Sequence, residues 1–201
     1  MKLYYSPGAC SLSPHIILHE AGIPHERVLV NLRTRQLEDG RDFCLINPLG
    51  YVPVLELDDG RRLVEGPAID QYLADQVPDR QLVPANGTFE RYQVQGWLNF
   101  IATELHKNFS PLFRPGTSEE AKATARSQLE GRFRFIEEQL ARQDYLAGAF
   151  SIADIYLFVV CRWMDHVGLP LAAWPALQAH HQRLASRPAV QAALQAENLK
   201  Q

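Results

Sequence analysis

Apolar and polar positions change rhythm along this chain at about residue 80, from short strand-like runs punctuated by turns to the three-and-four spacing of helices. Met1–Tyr5 has strand composition, Ser6-Pro7-Gly8 interrupts it, and Ser13-Pro14 followed by Ile16–Leu18 predicts the start of a helix. Gly22-Ile23-Pro24 stops that helix, and Glu26–Val30 alternates as a strand does. Thr34–Asp42 is mainly polar and suits an exposed second helix or an irregular connection leading to the loop Asn47-Pro48-Leu49-Gly50. Val52–Leu57, Asp58-Asp59-Gly60 and Arg61–Val64 predict strand, turn and strand. Gly66-Pro67-Ala68-Ile69 opens a third helix running through Tyr72 and Leu73. Strands alternating with helices make this an α/β unit.

Pro78–Asn86 holds two prolines and few apolar residues, so the boundary is expected there, between a domain at 1–80 and an all-helical one at 87–201. In the second, Trp97, Ile101, Leu105 and Phe109 fall on one helical row, and Ala121, Ala125, Leu129 and Phe133 on another. Ser151-Ile152-Ala153-Asp154 has the N-capping pattern with Asp in place of Glu or Gln, which accounts for Ser151 and Asp154 without any chemistry. The apolar run that follows predicts a central buried helix. Pro175 and Pro188 fit the first turns of two short final helices.

A chain of 201 residues with 46% hydrophobic composition can bury one large core or two small ones. No apolar run approaches a membrane span, and the N-terminus lacks a secretory signal pattern. Cys10, Cys44 and Cys161 offer neither an even disulfide framework nor metal-ligand spacing, so a reducing cytoplasm is expected. A net charge of -3 with both signs scattered argues against nucleic-acid and membrane partners. His180 and His181 are adjacent and point in different directions on a helix, and no metal is expected.

Cys10 is the first candidate for chemistry. It lies where the opening strand gives way to a helix, near unpaired N–H groups that lower a thiol pKa from about 8.5 to roughly 3.5–7.5 in known cases. The alternative is a small buried apolar residue. Cys10-Ser11-Leu12-Ser13 has serine where a resolving thiol would stand, so any second thiol must come from a small molecule, with glutathione the abundant candidate. Asn99, Thr103 and His106 recur at i, i+4 and i+7 on a polar face, which can line a cleft or simply meet solvent.

A strand, a cysteine loop, a helix and a later Val-Pro before a strand resemble the thioredoxin-like fold. Together with Asn47–Leu55, Glu65-Gly66-Pro67-Ala68-Ile69 and the Ser-x-x-Asp cap of a helical second half, the whole chain resembles a cytosolic glutathione S-transferase. Pro7-Gly8-Ala9-Cys10-Ser11 and Ala102-Thr103-Glu104-Leu105-His106-Lys107 look like the bacterial beta class. The resemblance implies a thioredoxin-like N-terminal domain with an all-α C-terminal domain, a homodimer, and glutathione as co-substrate with no tightly bound cofactor.

It also implies a cis bond between Val52 and Pro53, with the Val52 backbone pairing the cysteinyl part of glutathione. Glu65 then meets the γ-glutamyl amine and the Gly66 N–H its carboxylate, although many family members have Ser or Thr at the Gly66 position. Without the family, Glu65 could merely favour the helix dipole and Gly66 merely start the helix. Arg35, where the beta class tends to have Lys, faces the glycine carboxylate or is a solvated surface charge. His106 is placed close to Cys10, while Thr103 and Glu104 reach the site across a dimer interface and Asn99 shares their face. The reaction implied is attack of the glutathione thiolate on a small apolar electrophile, helped by the helix N-terminus, Ser11 and His106. A mixed disulfide at Cys10 would instead serve thiol–disulfide exchange or peroxide reduction, and a non-enzymatic carrier or interaction module would need neither Cys10 nor His106.

Overall fold

In the computed structural model, which describes residues 1–200, the alternating first part becomes a five-stranded sheet. Strand β1 (Lys2–Tyr5) is followed by helix α1 (Leu12–Ala21), β2 (Glu26–Asn31), β3 (Gln36–Leu37), β4 (Val54–Glu56), β5 (Arg62–Val64) and α2 (Gly66–Asp75). The order β3-β2-β1-β4-β5 centres the sheet on β1, parallel to β2 and antiparallel to β4. A parallel pair needs a crossover, and α1 supplies it. The Asp-Gly hairpin is found between β4 and β5, with Val54 opposite Val64.

Alternation along β1 sends Leu3 and Tyr4 to opposite faces. Leu3 and its β4 partner Leu55 are fully buried, as are Leu12, Ile16, Ile17 and Leu18 of α1 and Ile69 and Leu73 of α2. Each such side chain contributes about 1.5–3 kcal/mol of transfer free energy. On the other face Tyr4 packs with Val30, Leu37, Phe43, Val52 and Val54. Between Thr34 and Asp42 the structure forms no helix; it is an irregular connection that contains the short strand β3, which the sequence pattern did not predict: Leu37 alone is buried in that stretch, too little for a helical stripe, and Arg35 (φ 56°) and Gly40 (φ 84°) leave right-handed helical backbone.

The helical part comprises α3 (Phe89–Phe100), a wide π-helical segment at Ile101–His106, then α4 (Lys107–Phe113), α5 (Glu119–Leu140), α6 (Ile152–Cys161), α7 (Pro175–Ala185) and α8 (Pro188–Ala196). Every residue of α6 is buried, as its unbroken apolar run predicts. The α5 stripe is Ala125, Leu129, Phe133, Ile136 and Leu140, while Ala121 at the helix start is exposed. Pro175 and Pro188 begin α7 and α8. No helix among the described residues is long and apolar enough to cross a membrane.

Two compact units result, Met1–Leu82 with the segment from Arg187 onward, and Val83–Ser186. The C-terminal helix thus groups with the sheet unit, whereas the sequence pattern had suggested a helical domain over 87–201. The reason is tertiary: α8 packs on α1, Glu197 pairs with His15 (2.8 Å) and accepts the Gly8 N–H (3.0 Å), and Arg187 bonds Glu20 through both carboxylate oxygens.

Candidate functional site

In the sheet unit the chain leaves β1 through a tight loop in which Gly8 adopts φ 71°, a value other residues rarely take. Ser11 closes this loop: its Oγ accepts the Ser6 N–H (3.1 Å) and donates its single proton to the Ser6 carbonyl (3.2 Å). Ser11 is fully buried, and its single proton is directed to its own loop. The half-buried Cys10 thiol donates to the Val52 carbonyl at 3.3 Å. Its pKa is pushed up to about 12, chiefly by burial. The Cys10 and Ser11 N–H groups pull it down and the Asp70 and Glu65 carboxylates push it up, so the helix end does not prevail. The expectation of a lowered pKa is therefore reversed: desolvation of a thiolate outweighs two backbone dipoles.

Val52 and Pro53 are joined by a cis bond, as the resemblance implied. The loop before them is held by Asn47, whose amide donates to the Tyr51 carbonyl (2.7 Å) and whose oxygen accepts the Leu49 N–H (3.2 Å). Gly50 lies at φ 66°, and a Cβ there would sit 2.9 Å from the Arg35 Cδ, so the Arg35 side chain crosses this glycine. The exposed Arg35 guanidinium meets no acid among the described residues.

Glu65 occupies the N-cap position of α2 with φ 71° and ψ 112°, a conformation that costs a non-glycine residue on the order of 1–3 kcal/mol. Its exposed carboxylate caps nothing and pairs with no cation among the described residues. Gly66 opens the helix, and a Cβ there would make only ordinary contact with Pro53 at 3.9 Å. Beneath this end, the buried Asp70 accepts the Ser13 hydroxyl at 2.7 Å, and burial holds its carboxyl well above the usual carboxylate range. Asp70 escaped the sequence reading, although an acid between Ile69 and Leu73 on an apolar face was a visible signal.

Asn99, Thr103, Glu104 and His106 belong to the helical unit, where the π-helical segment changes their relationship. The buried stripe runs through Val94, Leu98, Ile101, Leu105 and Phe109, so Ile101, Leu105 and Phe109 keep the row expected of them. Trp97 is left half-buried beside it, stacked against Phe135 at 5.8 Å. Asn99 and Thr103 are exposed, and the Thr103 hydroxyl donates to the Asn99 carbonyl (3.0 Å). Glu104 is tied within its own unit to Arg132 (2.7 Å). His106 turns inward instead: its Nδ1 lies 2.6 Å from the Tyr156 hydroxyl and its ring packs edge-on to Trp163, centroids 4.9 Å apart. Burial first, then the Lys107 charge, lowers its pKa to about 4, so the imidazole is neutral at neutral pH. Tyr156 and Trp163 are partners that helical spacing alone could not reveal.

Known proteins settle the family. Residues 8–76 match the family model for the glutathione S-transferase N-terminal domain, and residues 100–188 that for the C-terminal domain. Glutathione S-transferase GstA of Escherichia coli O157:H7 is 52% identical over the whole of both chains. This chain belongs to the glutathione S-transferase family.

Solved structures agree with that membership and with the bacterial beta class. A ternary complex of BphK, a bacterial glutathione S-transferase, superimposes with a TM-score of 0.97 at 57% identity, covering 99% of this chain and all of that one. A sphingomonad glutathione S-transferase complexed with glutathione gives 0.96 at 50% identity over the full length of both. The beta-class transferase of Sphingomonas chungbukensis gives 0.97 at 49%, again over both full chains. The thioredoxin-like sheet unit and the helical unit are thus those of a glutathione S-transferase.

Proposed function

We propose that this glutathione S-transferase binds glutathione in its sheet unit and transfers it, through the glutathione thiolate, to small apolar electrophiles. The observation that carries the substrate assignment is Glu65, an unpaired carboxylate held in costly backbone at the uncapped start of α2. An ammonium group would satisfy it, and a carboxylate would suit the Gly66 N–H beside it, which is the pattern of a γ-glutamyl end. Arg35, lying across Gly50 without an acidic partner, is the cation for the glycine carboxylate. The Val52 backbone takes the cysteinyl peptide.

The raised pKa of Cys10 favours conjugation over thiol exchange as the main reaction. A thiol that stays protonated at neutral pH is a poor nucleophile but a hydrogen-bond donor, and a glutathione thiolate can accept from it in place of the Val52 carbonyl. In conjugation the thiolate sulfur forms a bond to the electrophilic carbon while the leaving group departs with its electron pair. Neutral His106 is proposed as the second polar contribution, acting through Nε2 while Tyr156 holds Nδ1. Asn99, Thr103 and Glu104 are assigned to glutathione contacts in a homodimer, where exposed Leu49 and Tyr51 and exposed Phe89 and Tyr92 are apolar surface for a second copy to cover. Three free cysteines support a cytoplasmic location as part of this reading.

The test is steady-state turnover of glutathione with an activated aryl chloride and, separately, with a mixed disulfide, using wild type, Cys10→Ala and His106→Ala, with light scattering on the same samples. Expected are conjugation by wild type as a dimer, a partial loss in Cys10→Ala, and a loss of roughly 10²–10⁴-fold in His106→Ala if it moves a proton. Disulfide turnover abolished by Cys10→Ala, with no conjugation by any form, would replace this reading with the redox one.

A further inference from the structure

Away from the thiol site, α1 carries a second concentration of chemistry that glutathione transfer does not use. His15 and His19 lie one helical turn apart on α1, and His25, just before β2, comes over to meet them. One ring nitrogen from each histidine lies within 4.8 Å of the others, and the ring centroids are 5.0, 5.4 and 5.5 Å apart. His19 is in the last turn of α1, about 10 Å along the helix from its start at Leu12 by the rise per residue.

The hydrogen bonds set the rings up as ligands. The Glu197 carboxylate and the Ile23 carbonyl can only accept, so the Nδ1–H of His15 donates to Glu197 (2.8 Å) and the Nδ1–H of His25 donates to Ile23 (2.9 Å). When neutral, each of these two rings carries its lone pair on Nε2. An imidazole whose other nitrogen is held by a carboxylate or a backbone carbonyl is the arrangement found around bound metals. The Nε2 atoms of His15 and His19 are moreover buried with no hydrogen-bond partner, which is costly for a polar atom unless something occupies the space between them.

We infer that His15, His19 and His25 form a binding site for a divalent transition-metal ion of the zinc type, with Glu197 and the Ile23 carbonyl as orienting partners. Three imidazoles suit zinc, nickel or copper rather than magnesium or calcium, and they leave a fourth position for water. Bonds of 2.0–2.1 Å to a tetrahedral ion bring ligand nitrogens to about 3.4 Å apart, so the rings close inward on binding. His15 is pinned by Glu197, whereas His19 and His25 are half-buried and can swing. The Arg27 charge nearby opposes a cation, but its guanidinium is drawn to the Ala196 carbonyl and the Tyr5 ring, and Glu197 supplies a compensating negative charge. Through Glu197 the ion would fasten the C-terminal segment to α1.

Zinc titration by calorimetry on the chelator-stripped full-length protein tests this, with His19→Gln, His25→Gln and, as a control, the exposed His166→Gln. One zinc per chain is expected for wild type and His166→Gln, with affinity reduced tenfold or more in the other two, all variants giving wild-type circular dichroism. Cobalt added in place of zinc should show tetrahedral ligand-field bands without thiolate charge transfer. Failure of wild type to take up zinc, binding left unchanged by His19→Gln and His25→Gln, or a thiolate band would each overturn the proposal. None of these readouts depends on glutathione turnover.

Discussion

At the start of α6, Asp154 and Ser151 answer the exposed backbone donors almost completely, whereas at the starts of α1 and α2 no side chain does so. The Ser151–Asp154 capping box is closed from both sides, and Asp154 also accepts the Leu146 N–H (2.9 Å) and meets His180 Nε2 at 3.0 Å, all fully buried. The helical unit repeats the device, with Thr88 capping α3, Ser118 capping α5, and the Glu137 carboxylate accepting from Ala176 and Leu177 at the start of α7. In the sheet unit, Ser11 spends its hydroxyl on Ser6 and Glu65 leaves its carboxylate in solvent. An open helix N-terminus is an anion site, so the ends of α3, α5, α6 and α7 are sealed by side chains while the ends of α1 and α2, on which the proposed ligand depends, are open.

The sealed end is where the largest effect is expected. Asp154→Ala would strand two backbone N–H groups and His180, and should lower stability by about 3–5 kcal/mol in urea denaturation; a loss under 1 kcal/mol would mean that the cap is not what holds α6. At the open end, Glu65→Gln should leave the denaturation midpoint unchanged and weaken glutathione binding by about 1–3 kcal/mol, measured by calorimetry. Unaltered affinity would remove Glu65 from the site and with it the contrast between sealed and open ends. The smallest effect sharpens the same comparison: Gly66→Ser adds a hydroxyl where a Cβ meets only Pro53 at 3.9 Å, and should tighten glutathione binding by about 0.5–1.5 kcal/mol. No gain, in a folded variant, would mean that the ligand carboxylate lies elsewhere.

Ser151-x-x-Asp154 was legible because a cap is a contact between residues three apart, and the hairpin at Asp59-Gly60 because two adjacent residues define its turn. The placement of Cys10 between β1 and α1 was legible for the same reason, but not its protonation. Its pKa depends on desolvation and on Asp70 and Glu65, which arrive from a segment more than fifty residues away. The row through Ile101, Leu105 and Phe109 was legible too, but helical spacing placed Trp97 rather than Leu98 at its start and did not foresee that His106 meets Tyr156 while Asn99 and Thr103 stay outside.

Local chemistry alone determined four of the five strands, the hairpin, the Ser151–Asp154 cap and the position of the thiol, because propensities, turn residues and apolar periods act over a few residues; the two-residue β3 and the Glu137 cap of α7 needed distant partners. Only the tertiary structure decided that α8 belongs with the sheet unit, that Ser11 serves its own loop, that burial keeps Cys10 a thiol, and that three histidines from two segments meet beside Glu197. Each of those depends on which distant surfaces exclude water together, a quantity that no short stretch of sequence contains.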